Sequence, residues 1–217
     1  MKNNMKNSSN NQANKNLTIF VFIFFAISLI LFSYTLYNLT IKITGYEVGY
    51  VNLTISTLVD INVTTNTVNW GPGIVTDPNL NASLITAGSA AGTATRGNWS
   101  GTNAKALVIE NTGNVNCSLA LSGVKTAATF FGGNASHQAY QWNVSNKETG
   151  ACGEWGETSM QNTWANVNTS AATVCNKLDY HPGNDEMYID FKLVVPADAT
   201  NYGALSDTIT ISGNAAV

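Results

Sequence analysis

Residues Leu17 to Tyr37 form an unbroken apolar stretch of about 21 residues. At ~1.5 Å rise per residue, a helix of that length spans roughly 31 Å, which matches a bilayer hydrocarbon core of about 30 Å. About fourteen of these residues are Leu, Ile, Val or Phe, and at roughly −0.3 to −0.6 kcal/mol each they favour insertion by about 4 to 8 kcal/mol. The hydroxyls of Thr18, Ser28, Ser33 and Thr35 can bond back to their own helix. Tyr34 and Tyr37 stand at one end, where amphipathic rings prefer the headgroup level. Lys2, Lys6 and Lys15 precede the stretch with no acid among them, which places the N-terminus in the cytoplasm and the remainder outside. No charged residue interrupts it, so nothing points to sensing or transport.

A cleaved signal has a shorter apolar region, about 7–15 residues, followed by small residues at the cut. Here the run is longer and is followed by Tyr34-Thr35-Leu36-Tyr37-Asn38. An uncleaved signal anchor is the expectation; cleavage between Ser33 and Gly45 is the alternative. Pilin-type processing before the run would need a Gly or Ala beside a basic residue, and Lys15-Asn16-Leu17 offers neither. The chain therefore divides into a basic cytoplasmic tail (1–16), a transmembrane anchor (17–37), a juxtamembrane segment (38–49) and an outer domain (50–217).

The outer part is long enough to bury one core. Charged residues make up 11% of the chain against a usual value of about 25%. From Asn38 onward thirteen acids face seven bases, which argues against a nucleic-acid partner. Asn-x-Ser/Thr sequons begin at Asn38, Asn52, Asn62, Asn81, Asn98, Asn116, Asn134, Asn143 and Asn168. In Val51-Asn52-Leu53-Thr54-Ile55 the apolar residues alternate, so Asn52 points away from a core. The same phase holds for Asn62, Asn116 and Asn143, and it leaves room for a glycan in a host with the machinery.

Three cysteines lie in this part: Cys117, Cys152 and Cys175. Cys117 falls on the inward phase of Val115-x-Cys117-x-Leu119-x-Leu121 and reads as a small core residue. Cys152 and Cys175 bracket a weakly periodic segment and are the disulfide candidate. Closing that loop is worth roughly 3 kcal/mol in the chain-entropy model.

From Tyr50 onward the dominant period is two. Strands are expected at Val51–Ile55, Ile61–Val63, Thr67–Trp70 and Leu84-Ile85, with a mobile Gly/Ala/Ser/Thr loop over Ala87–Asn103. Lys105–Leu121 reads as a hairpin turning at Asn111-Thr112-Gly113-Asn114. Thr126–Phe131 and the face Tyr140/Trp142/Val144 follow. The Cys152–Cys175 segment is a loop or holds one short helix around Ser159–Val167. Met187–Val195 has Ile189, Phe191, Leu193 and Val195 facing in, with Asp190 and Lys192 facing out. Asp207–Gly213 closes the domain. Eight to ten short strands with almost no helix imply an all-β fold. Its expected form is an antiparallel β-sandwich, immunoglobulin-like or jelly-roll, behind a single transmembrane helix.

No chemistry-bearing motif stands out. The chain has only His137 and His181, and neither G-x-S-x-G nor H-E-x-x-H occurs. Asp179, Asp185 and Glu186 surround a Gly turn and are a calcium candidate, although ordinary turn residues before a strand have the same composition. Trp99, Trp155 and Trp164 lie in irregular stretches open to stacking on a sugar; Trp142 is phased inward and Trp70 ends a strand, so at least one of these two reads as core. Neither an enzyme nor a cofactor is expected.

Val108-Ile109-Glu110-Asn111-Thr112-Gly113-Asn114-Val115-Asn116 is similar to the strand–turn–strand segment of extracellular β-sandwich modules. Val195-Pro196-Ala197-Asp198-Ala199, followed by Asp207-Thr208-Ile209-Thr210-Ile211, resembles their closing strands. With the basic, Asn-rich start and one apolar helix, the chain looks like an archaeal-type membrane-anchored surface protein. It also resembles camelysin-type biofilm-fibre and archaeal bundling-pilus subunits. That resemblance implies assembly by strand donation, with Gly45–Val51 in the donor segment. The expected role is non-enzymatic: adhesion, envelope structure or cell–cell contact, with a secreted filament subunit or a carbohydrate-binding module as alternatives. Expected partners are membrane lipid, further copies of the chain, and other surface proteins and glycans.

Overall fold

The computed structural model describes residues 3–43, 53–153 and 160–216. The chain separates into two compact units, Met1–Thr54 and Ile55–Val217. The first contains helix α1 (Asn3–Ile43), 41 residues long. Its section Asn14–Tyr37 is long and apolar enough to cross a membrane, and none of it is buried. Phe20 and Phe24 are 72% and 78% exposed. A helix apolar around its whole circumference has no face that water prefers, so hydrocarbon is its natural solvent. Thr18 donates its hydroxyl to Asn14 O at 2.9 Å and Thr35 to Phe32 O at 2.8 Å, which removes two polar groups from competition.

The second unit is built from ten strands among the described residues: β1 (Ile61–Thr65), β2 (Asn81–Ala87), β3 (Ala90–Thr95), β4 (Leu107–Asn111), β5 (Cys117–Gly123), β6 (Ala139–Asn146), β7 (Ala165–Asn166), β8 (Ala172–Leu178), β9 (Glu186–Pro196) and β10 (Ile209–Ala215). A short helix α2 (Ala127–Phe131) lies between β5 and β6. All pairings are antiparallel. The larger sheet runs β1-β4-β9-β2-β3, with β6 and β7 attached; the smaller is β10-β5-β8.

Strand β9 organises the larger sheet. Along one edge it pairs with β6 from Met187 to Val194. The other edge is therefore shared: β4 takes Glu186–Ile189 and β2 takes Lys192–Pro196. At the change of partner, Thr86 Oγ1 donates to Asp190 Oδ1 at 2.7 Å and accepts the Phe191 amide at 2.9 Å, while Gly88 N–H donates to the same carboxylate at 2.9 Å. These bonds replace the missing ladder. Asp190 is consequently buried, at 8% exposure, although its phase predicts an outward side chain.

Side chains from both sheets meet in one core that includes Ile109, Leu119, Leu121, Trp142, Val174, Leu178 and Ile189. Fully burying each large apolar group stabilises by roughly 1.5–3 kcal/mol. The inward phases expected for Cys117, Leu119, Leu121, Tyr140, Trp142 and Val144 are all observed as burial. A smaller cluster joins Trp70, Leu84 and Ala104, with Trp99 packed against it. The indole of Trp99 lies so close to Gly73 and Gly97 that a Cβ at either would collide with it.

Several expected elements differ. Lys105–Leu121 is not a hairpin, because β4 belongs to the larger sheet and β5 to the smaller. Both edges of β4 are already occupied by β1 and β9, so the Asn111–Asn114 turn passes the chain from one sheet to the other. Asn111, itself buried, fixes that crossing by donating to Val115 O and Leu178 O at 3.0 and 3.3 Å. Ala87–Asn103 contains β3 rather than only loop, since small residues suit close strand approach. Thr126–Phe131 forms α2, not a strand: Thr126 and Thr129 make a reciprocal capping box, and Phe130 and Phe131 turn inward. Leu53–Ile55 and Thr67–Trp70 are not strands, and Val51 and Asn52 lie outside the described residues. Between Cys152 and Cys175 the described residues hold β7, the start of β8 and a bridge at Met160, not a helix.

The unit has two distinct ends. At one, Asn114 holds the arriving segment: its side-chain oxygen accepts Leu58 N–H at 2.7 Å and its Nδ2 donates to Ser56 O at 2.9 Å. The Asp185 carbonyl reaches Asn111 N–H at this same end. At the other, β9 finishes at Pro196, opposite the start of β2 at Asn81. With eleven residues in β9 at ~3.3 Å each, the ends stand roughly 35 Å apart.

Candidate functional site

The sequon asparagines divide by environment. Asn62, Asn98, Asn134 and Asn168 are exposed, whereas Asn81, Asn116 and Asn143 are half-buried. The side-chain oxygens of Asn81 and Asn116 are fully buried without a hydrogen-bond partner. Asn143 stands directly opposite Asp190 in the β6–β9 ladder. Strand phase alone thus overstated the room at Asn116 and Asn143, because the outer face of a sheet is open only where loops and neighbouring side chains leave it bare. Asn52 and the side chain of Asn38 lie outside the described residues.

Cys152 and Cys175 are joined, with Cα atoms 6.0 Å apart. Cys117 is a buried free thiol, and burial pushes its pKa up to about 11. At that value the thiolate needed for exchange or alkylation is scarce at neutral pH.

The calcium candidate does not assemble. Asp179 Oδ1 accepts the amides of Tyr180 and His181 at 2.6 and 3.0 Å and contacts His181 Nδ1 at 2.7 Å. Burial works against the Asp179 charge, but the bonds from His181 and Tyr180 outweigh it and hold the carboxyl below its usual value. Glu186 pairs with Lys147. The Asp185 carboxyl lies against Glu148, not against Asp179 or Glu186: burial first, then its hydrogen bond with Glu148, then the charges of Glu148 and Glu110 push its pKa up to about 6. Each acid has its own partner, and no group of three or more His, Cys, Asp or Glu suited to a metal ion occurs among the described residues.

The histidines are separated in role. His137 closes a single turn of 3-10 helix over Ala135–His137, and the exposed His181 stacks on Tyr180 with centroids 4.1 Å apart. Trp99 is half-buried against Gly73 and Gly97, and Trp164 is half-buried with Lys192 Nζ 6.0 Å from its ring centre. Trp155 lies outside the described residues. Sequence reasoning missed two features: the buried Thr86–Asp190 junction and the grip of Asn114 on residues 56–58. Neither has a local signature, since each joins positions far apart in the chain.

No protein-family model, no curated protein and no solved structure matches the chain.

Proposed function

We propose that this chain is a non-enzymatic cell-surface protein in which α1 serves as an uncleaved signal anchor and the β unit acts outside the cell in adhesion, envelope structure or cell–cell contact. On this reading the two sheets over their shared core form a β-sandwich, and the N-terminal lysines stay in the cytoplasm. The observation that carries it is the fully exposed apolar section Asn14–Tyr37, joined to a β domain that holds a disulfide. Disulfides persist in oxidising compartments, which favours an outward domain. Asp179 pairs with His181, Asp185 lies against Glu148 and Glu186 pairs with Lys147, and these separate contacts support a binding or scaffolding role over catalysis. The test is protease shaving of intact cells followed by membrane fractionation. Loss of the β unit from outside, with α1 retained in the membrane, is expected. Full-length protein in the soluble cytosolic fraction would refute the reading.

A second reading, a secreted filament subunit joined by strand donation, is favoured by one observation. Leu53 and Ile55 alternate with polar residues and are 81% and 79% exposed, just before the segment gripped by Asn114. An extended segment with one apolar face can add to the sheet of a second copy. The proposed donor Gly45–Val51 lies outside the described residues. Mass spectrometry of the mature N-terminus separates the readings, since an intact Lys2 region excludes a freely polymerising domain. A carbohydrate-binding module is less well supported, because Trp99 packs against glycines instead of offering a free face.

A further inference from the structure

Three strand connections each carry a sequon. Asn98 lies between β3 and β4, Asn134 between α2 and β6, and Asn168 between β7 and β8. The fold gathers all three at one end. Asn98 N–H bonds Ile74 O, beyond the Ser83–Thr95 pairing that precedes it, and Leu80 O accepts Ala197 N–H just past the end of β9. Asn134 N–H donates to Asp198 Oδ1 at 3.3 Å. Asn168 O accepts Gly123 N–H at 2.9 Å, and its neighbour Val167 donates to Tyr140 O, opposite Leu193. All these partners belong to the Pro196 end of β9, away from the end where Asn114 holds Leu58.

All three side chains are exposed, and at two of them the amide oxygen is already engaged. Asn98 Oδ1 accepts Ile74 N–H at 2.7 Å, and Asn134 Oδ1 accepts Ser136 N–H and Ser136 Oγ–H at 3.0 and 2.8 Å. With the oxygen engaged on an exposed side chain, the amide nitrogen is the atom left to react. Transfer requires that nitrogen to attack C1 of a lipid-linked oligosaccharide. The new N–C bond forms as the lipid phosphate leaves and one amide proton is lost. The transferase must also surround the acceptor backbone, which a loop permits and a strand hydrogen-bonded in a sheet does not. Asn81, Asn116 and Asn143 are half-buried within or beside ladders, and Asn62 is exposed but sits in the β1–β4 ladder.

We propose that Asn98, Asn134 and Asn168 are the glycan acceptors of the β unit, that Asn62, Asn81, Asn116 and Asn143 stay bare, and that the sugars form a crown at the Pro196 end of β9, away from the end where Asn114 holds Leu58. The proposal rests on the surface reading above. The chain is purified full-length from the membranes of the cells that make it, and its glycopeptides are mapped by mass spectrometry. Among the sequons of the β unit, glycan is expected on the three loop sites alone. Ser100→Ala, Ser136→Ala and Ser170→Ala each remove one sequon while keeping its Asn, and the triple variant falls to the mass of the unmodified β unit. Glycan on Asn62, Asn81, Asn116 or Asn143, or three bare loops on a domain that shaving places outside, overturns the proposal while leaving the surface reading standing. A β unit protected from shaving until the cells are lysed defeats the surface reading instead.

Discussion

The side-chain oxygen of Asn114 accepts the Leu58 amide at 2.7 Å, so a turn 56 residues further along the chain grips the segment leading into the β unit. Asn114 Nδ2 adds a bond to Ser56 O, and Thr112 contributes bonds to the carbonyl and carboxylate of Asp60. Gly113 closes the grip, since a Cβ there would run into the Leu58 carbonyl.

Asn114→Ala is expected to free residues 53–58 without unfolding the sheets. Two exposed side-chain bonds contribute about 1 kcal/mol each. The fall in unfolding free energy is therefore about 1–2 kcal/mol by urea titration. Limited proteolysis is the sharper measurement: cleavage near Leu53–Leu58 should accelerate by an order of magnitude, and an unchanged rate would show that the grip does not restrain the segment.

Thr86→Val tests the junction on β9. The substitution preserves shape but strands the Phe191 amide and removes one donor from the buried Asp190 carboxylate. An unsatisfied buried polar group costs about 1–3 kcal/mol. A loss of at least about 2 kcal/mol in chemical denaturation is expected, with hydrogen exchange fastest at Phe191.

Joint replacement of Cys152 and Cys175 by serine should lower stability by about 3 kcal/mol, the chain-entropy value for a loop of this size. The same protein provides a thiol test. The Cys117 thiol should resist alkylation in the native state and react once per chain in denaturant, because it is buried and its pKa is pushed up to about 11. Labelling of the native protein at the denatured rate would contradict that burial.

Asp185 makes stability depend on pH in a defined direction. Its carboxyl titrates at about 6 in the fold, from an ordinary value of 3.8. The folded state thus holds a proton that the unfolded chain releases between those values. The contribution is present below 3.8 and is lost as pH rises through about 6. Asp185→Asn should raise the melting midpoint at pH 7, by an effect of the order of 1 kcal/mol once solvent screening is counted, and leave it nearly unchanged at pH 3.5. An equal effect at both values would separate Asp185 from the charges of Glu148 and Glu110.

The helix and most core strands were legible because their information is local. The apolar length of Leu17–Tyr37, the alternation of Met187–Val195 and the inward phase of Tyr140, Trp142 and Val144 each lie within one element. Pairing was not legible in the same way. Lys105–Leu121 has the pattern of a hairpin, and only the occupation of both edges of β4 reveals that it crosses between sheets. Asp190 alternates as a surface residue does, yet Thr86, about a hundred positions earlier, draws it inside. The sequons were visible one by one, but the placement of Asn98, Asn134 and Asn168 at one end emerges only from the connections that carry them.

The position of β9 in the chain sets the order in which the unit can be completed. β9 joins β2, β4 and β6, yet it is the last strand of the larger sheet to be synthesised. Until Pro196 has emerged, β1 with β4 and β2 with β3 are separate pairs with no common centre, and two-stranded pieces are marginal in water. The separate pairs of the larger sheet therefore become one rigid body in a single late step, when β9 takes its place between them.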